Sequence, residues 1–185
     1  MNSPLPLFYT PRTTLRPLAL ADAAAMHGLF GDPETMRFWD ALPSADLAET
    51  TARVERLVTA DPYWQVGWAI LANSGGALLG FVNFHGRVPA WRRLSVGYML
   101  GRAWWGQGLM EEAMTPFLDH CFGALEAHRV EALIEPGNVA SARLAQRLGF
   151  ARESGPLRDR MLVGGVFRDI CIHGLLAPDW AARRR

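Results

Sequence analysis

The stretch Trp104-Trp105-Gly106-Gln107-Gly108-Leu109-Met110-Glu111-Glu112-Ala113 decides how this chain is read. Before it, Arg93–Leu100 has the composition of a strand; after it, Leu109, Met110, Ala113, Met114, Phe117 and Cys121 line one face of a helix over Leu109–Phe122. A strand ends, two glycines one residue apart follow, and a helix begins. Glycine turns the backbone where a Cβ would clash and lets a ligand come close to the chain. The first N–H groups of a helix have no internal partner and carry the positive end of its dipole. A pyrophosphate is the natural occupant of such a place. A plain tight turn fits the same residues, so this stretch alone leaves both readings open. A Rossmann fingerprint is excluded, because Met110 and Glu111 stand where its third glycine is needed.

A second stretch, Pro136-Gly137-Asn138-Val139-Ala140-Ser141 through Leu148-Gly149-Phe150, follows a strand expected over Arg129–Ile134. Asn138 is placed to end that strand and cap a helix over Ala140–Leu148; Ser141 can bond the first turn, and Gly149 stops the helix. If this strand splays from Arg93–Leu100, the gap accepts a thin ligand arm. A simple cap and stop explains Asn138 and Gly149 equally well.

Working outward, Thr13–Leu18 reads as a strand, with Pro17 suggesting an edge. Helices are expected over Asp22–Phe30, from the Asp32-Pro33-Glu34 start, and from a Ser44 cap to Asp61-Pro62. Trp64, Val66, Trp68 and Ile70 alternate as a half-buried strand should, and Asn73-Ser74-Gly75-Gly76 turns the chain into Leu78–His85. Pro116 predicts a kink in its helix. Phe150–Leu157 reads as extended, and Gly164-Gly165 joins Arg158–Val163 to Val166–Leu175 as a hairpin. The pattern predicts an α+β domain: a mixed, mostly antiparallel sheet with helices on both faces.

The chain has 185 residues, half of them apolar, which suits one domain. Its net charge of +1 provides no broad field for nucleic acid or an anionic membrane. All 19 basic residues are arginine. Schiff-base chemistry and the P-loop both need a lysine, so both are excluded. Cys121 and Cys171 are too few for a disulfide framework. No segment reads as a signal peptide or membrane span, and a cytoplasmic location is expected. His27, His128 and His173 have no ligand spacing, so no metal is expected. Cys121, beside His120, falls on the apolar stripe and reads as core rather than nucleophile.

The two glycine- and asparagine-bearing blocks together resemble the GCN5-related N-acetyltransferases, in particular the Rim-type branch that acetylates ribosomal-protein N-termini. Trp105-Gly106-Gln107-Gly108 with Glu112-Ala113 resembles the acetyl-CoA pyrophosphate loop, and Asn138-x-x-Ser141 with Leu148-Gly149-Phe150 the second conserved block. Leu15-Arg16-Pro17, Asp32-Pro33-Glu34-Thr35-Met36, Gly97-Tyr98 and the closing hairpin agree in order. The likeness covers about residues 10–176 and leaves 1–9 and 177–185 as tails of a single domain. It implies acetyl-CoA as cosubstrate, an amine acceptor (a protein N-terminus or a small molecule), and homodimerisation as one assembly. Main-chain groups around Tyr98, Met99 and Leu100 would align the pantetheine arm. The amides of Gly106, Gln107, Gly108, Leu109 and Met110 would hold the pyrophosphate, and Asn138 and Ser141 would contact the arm or the thiol end. Arg102 and Arg143 are candidate partners for the phosphates. Trp104 and Trp105 are placed to flank the cofactor; Asp32, Glu34 and Trp39 lie where relatives form the acceptor mouth.

The chain also departs from the family. Ala145 stands where many relatives carry a tyrosine that protonates the departing thiolate, and the glutamates that serve as base in relatives are missing near Ser95 and Arg160. His85, near the end of a central strand, is the candidate base, and Ser141 the candidate partner of the thiolate. Two rival readings remain. Ala145 and the missing glutamates suit a non-catalytic acyl-CoA-binding or regulatory module. Arg92-Arg93 and Arg183–Arg185 are all that suggests nucleic-acid binding.

Overall fold

Alternating apolar residues build most of the strands, and their turns set the order in which they pair. The computed structural model describes residues 5–184. Its strands are β1 (Phe8–Tyr9), β2 (Thr13–Pro17), β3 (Val66–Ala72), β4 (Leu78–Val88), β5 (Arg93–Leu100), β6 (Arg129–Ile134), β7 (Ala151–Arg152), β8 (Leu157–Val163) and β9 (Val166–Leu176). Its helices are α1 (Ala23–Phe30), α2 (Pro33–Met36), α3 (Leu47–Thr59), α4 (Leu109–Phe122), α5 (Val139–Leu148) and α6 (Ala177–Arg183). The sheet runs β1-β2-β3-β4-β5-β6-β9-β7, with β8 paired to β9. Every pairing is antiparallel except β5 with β6.

Two apolar layers cover the sheet. Trp68, Val82 and Phe84 pack with Met114 and Phe117 of α4 and Leu144 and Leu148 of α5. Ala69, Phe81 and Met99 point the other way, onto Met26 and Phe30 of α1, Met36 of α2 and Val54 of α3. The expected helices on both faces are therefore present.

Several local expectations are corrected. α3 starts at Leu47 because the Asp46 carboxylate, rather than the Ser44 hydroxyl, accepts the capping N–H, from Glu49 at 2.8 Å. The first turn of the Asp22–Phe30 segment is displaced: Leu20–Asp22 forms a separate 3-10 turn, and Asp22 is bonded to Arg16. Asn138 lies beyond the end of β6, separated from it by Glu135-Pro136-Gly137. Only Ala151–Arg152 of the Phe150–Leu157 segment pairs as a strand before β8 begins.

The described parts of both expected tails, 5–9 and 177–184, pack on the domain, and residues 1–4 lie outside the described residues. Phe8 is buried against Trp68 and Phe117. α6 anchors through Trp180, which is buried, stacks on Phe122 and donates its indole N–H to Asp119 at 2.9 Å. Arg183 and Arg184 are exposed, Arg183 donating to the Arg147 carbonyl and Arg184 pairing with Asp119; Arg185 lies outside the described residues.

Candidate active site

β5 and β6 begin side by side and then part. Their parallel ladder joins Arg93, Leu94 and Ser95 to Arg129, Val130 and Glu131, and ends there, although β5 continues to Leu100 and β6 to Ile134. The expected splay exists. Residues along β5 direct their main-chain groups alternately to its two neighbours. Gly101 donates to Leu79 on the β4 side, and the Met99 carbonyl approaches Gly80 of β4, whereas Arg92 accepts from His128 and Arg129 on the β6 side. Tyr98 and Leu100 therefore turn their main-chain groups into the gap, and those of Met99 are taken up by β4. That corrects the expectation for Met99, whose main chain is not part of the gap.

The chain then passes through the two glycines. Gly106 and Gly108 have φ of +72° and +74°, a conformation costly for any residue with a Cβ. From Gly106 through Glu111 no main-chain N–H has a partner among the described residues; the first bond of α4 runs from Glu112 N–H to the Gly108 carbonyl at 3.1 Å. The expected row of free amides is present at the start of a helix of 14 residues.

Arg12 secures this turn from the other side of the sheet edge. Its guanidinium donates to the Gln107 carbonyl at 3.0 Å and to Glu112 at 2.7 Å, and its N–H donates to Glu112 at 2.8 Å. The Thr10 hydroxyl adds a bond to the same carboxylate at 2.6 Å. Burial pushes the Glu112 carboxyl up, but Thr10 and Arg12 together outweigh it and hold the group below its ordinary value. Glu112 thus keeps its charge without presenting it to the amides.

The gap and the amides open into one cleft of about 620 Å³. Of the sequence-expected residues, Tyr98, Met99, Leu100, Gly106, Gly108, Leu109, Met110, Asn138 and Ser141 all line it. Gln107 does not: its side chain folds back to the Ala103 carbonyl at 2.9 Å. Asn138 caps α5 by accepting the Ser141 N–H at 3.1 Å. The Ser141 hydroxyl lies 2.9 Å from the phenol oxygen of Tyr98, whose burial raises its pKa.

Among the cations, Arg143 lines the cleft, whereas Arg102 turns to Asp32 at 3.1 Å. Arg147, which sequence reasoning passed over, also lines it and pairs with Glu111 at 2.7 Å. Its signal was available, because residues four apart on α5 share a face with Arg143. Glu34 and Trp39 stand at the α2 end of the cleft together with Phe38; Asp32 is spent on capping α2 through Thr35.

His85 is not among the cleft-lining residues. It shares the α1–α3 face of β4 with Phe81 and Asn83, and neither its buried Nδ1 nor Asn83 Oδ1 has a partner among the described residues. Burial pushes the imidazole below its ordinary value, against the pull of the Asp40 carboxylate. Burial drives the Cys121 thiol far up, which removes it as a nucleophile. Among the described residues no group of His, Cys, Asp or Glu is arranged to hold a metal, and no helix is long and apolar enough to cross a membrane.

Comparison with known proteins gives the family. The family model of the acetyltransferase (GNAT) domain matches residues 12–151. The chain belongs to the GNAT family and is an acetyl-CoA-dependent acyltransferase. It is 30% identical over 174 residues to the uncharacterized N-acetyltransferase p20 of Bacillus licheniformis, covering 94% of this chain and 97% of that protein. It is 35% identical over 108 residues to the [ribosomal protein uS5]-alanine N-acetyltransferase of Escherichia coli (strain K12), covering 58% of this chain and 55% of that one. Spermidine N-acetyltransferase from Vibrio cholerae, crystallised with CoA and spermine, superposes with a TM-score of 0.79 at 18% identity, over 91% of this chain and 98% of that one; at that distance the likeness is one of fold.

Proposed function

We propose that this protein transfers the acetyl group of acetyl-CoA to a primary amine by direct attack on the thioester. One observation carries the reading: the free amides from Gly106 to Glu111 and the unpaired β5–β6 gap share a single cleft. The amides suit the pyrophosphate, with Arg143 and Arg147 within the same walls for further phosphate charge. The edge of β5 suits the amide-bearing pantetheine arm, and a Tyr98 or Leu100 N–H is a donor for the carbonyl oxygen as charge builds on it. Holding both reactants in line supplies about 7–11 kcal/mol of the barrier without any catalytic side chain.

The acceptor enters at Glu34, Phe38 and Trp39, where a carboxylate and two rings suit a cationic amine that must shed a proton before it attacks. His85, held neutral by partial burial on the α1–α3 face of β4, is the proposed base, and because it stands outside the cleft lining it would act on the amine through an intervening water. Resemblance to the uS5-alanine enzyme favours a protein N-terminus, and a small amine is the alternative. Two cysteines left as free, buried thiols favour a reducing, cytoplasmic setting.

Thiol release from acetyl-CoA, measured across peptides with free N-termini and across small amines, tests the reading. Turnover with one of these classes is expected. Tight CoA binding with no turnover for any amine would instead favour the non-catalytic module that Ala145 suggests.

A further inference from the structure

Ser141 is relieved of the usual work of a serine in a first helical turn. Asn138 caps α5, and the Ser141 hydroxyl has one side-chain partner among the described residues, the phenol of Tyr98 at 2.9 Å. Tyr98 reaches it from across the gap: its main chain sits on the free edge of β5 while its ring packs on the α4–α5 layer. The phenol oxygen also lies 3.4 Å from the Ser141 carbonyl. Both residues line the cleft. Farther along α5, Ala145 is fully buried and carries no polar group.

We propose that Tyr98 is a positioning residue for the departing sulfur: its O–H donates to Ser141 Oγ and so turns the Ser141 hydroxyl proton into the cleft, toward the thioester. This rests on the acetyl-CoA reading above. Burial keeps the phenol protonated through neutral pH, so Tyr98 donates a hydrogen bond and not a proton. A donor chain of two hydroxyls strengthens each of its links, and a bond to an ionised acceptor is stronger than one to a neutral acceptor. As the amine nitrogen bonds to the carbonyl carbon, the carbon–sulfur bond breaks and its electron pair stays on sulfur. The amine proton leaves through the base. The Ser141 O–H stabilises the thiolate, and neither hydroxyl changes its protonation state.

The test needs no acceptor. The thiol of bound CoA is titrated by its thiolate ultraviolet absorbance, as the difference between complexes with CoA and with a CoA analogue lacking the sulfhydryl. Wild type, Tyr98→Phe, Ser141→Ala and the double variant are compared. The dyad predicts a thiol that ionises at higher pH in either single variant, with a shift equivalent to roughly a threefold loss or more of thiolate stabilisation. It also predicts a double variant no worse than Ser141→Ala alone, and affinity for the sulfur-free analogue within about twofold of wild type throughout. An unshifted thiol in Tyr98→Phe that still binds CoA tightly would overturn the inference alone. A wild-type protein with no affinity for CoA would overturn it together with the reading on which it rests.

Discussion

Gly106 and Gly108 both stand in the left-handed region, where a Cβ costs about 1–2 kcal/mol per residue. Gly108→Ala is therefore expected to weaken CoA binding by about tenfold or more, read by titration calorimetry, because relief of the backbone strain at φ +74° would turn the amides of the helix start out of line. Affinity equal to wild type would show that the amides are not the anchor. These glycines were legible in the sequence because a strand, a glycine pair and an apolar-periodic helix can be read from local pattern. Arg12 was not, since it lies about a hundred positions from Glu112 and nothing local joins them. His85→Ala belongs to the same scale. Loss of the base is expected to lower kcat/KM by about 100-fold or more with little change in affinity for acetyl-CoA. In wild type the acid limb of activity is expected below the ordinary histidine value of 6.5, because burial holds the imidazole neutral down to lower pH.

At the scale of elements, α4 is held in place by its first turn. Glu112 takes three hydrogen bonds from Thr10 and Arg12, tying the segment between β1 and β2 to the start of the helix whose amides face the cleft. Glu112→Ala removes the shared acceptor of Thr10 and Arg12, which keep their bonds to Thr13 and Gln107, and is expected to cost about 1 kcal/mol in chemical denaturation, with CoA affinity falling alongside. A stability loss with CoA affinity intact would separate the anchor from the site. The Arg147–Glu111 pair is more exposed, and Glu111→Gln is expected to change stability by less than about 1 kcal/mol. The parting of β5 and β6 was legible only as a condition, since a strand's composition does not reveal where its neighbour leaves it. The same holds for α6: Ala177-Pro178-Asp179-Trp180 is too short for periodicity to announce, and packing on Phe122 decides its fate.

Across the whole molecule, burial lowers the pKa of His85, His120 and His173 together. A lowered histidine pKa means that the unfolded chain binds more protons below 6.5, so the stability linked to these groups is complete above that value and is lost as pH falls through it. Asp22, Glu112 and Glu153 are also held low, each by an arginine partner that opposes or outweighs burial, and their contribution is lost only on further acidification below the ordinary carboxylate range. Thermal unfolding is therefore expected to show a decline beginning near pH 6.5 and a second, separate decline below about pH 4.5. A flat midpoint from pH 7 to 5 would contradict the first. Trp180→Ala should lower stability by about 3–5 kcal/mol, as loss of a buried ring does, which sets α6 within the cooperative unit rather than on its margin. The cleft itself is a product of this whole: one sheet carries the open strand edge, and the helix packed on it supplies the amides. Amide hydrogen exchange with and without CoA interrogates that junction most directly. Protection is predicted at residues 106–111 and at Tyr98 and Leu100, and CoA bound tightly with those amides exchanging as freely as before would contradict the account.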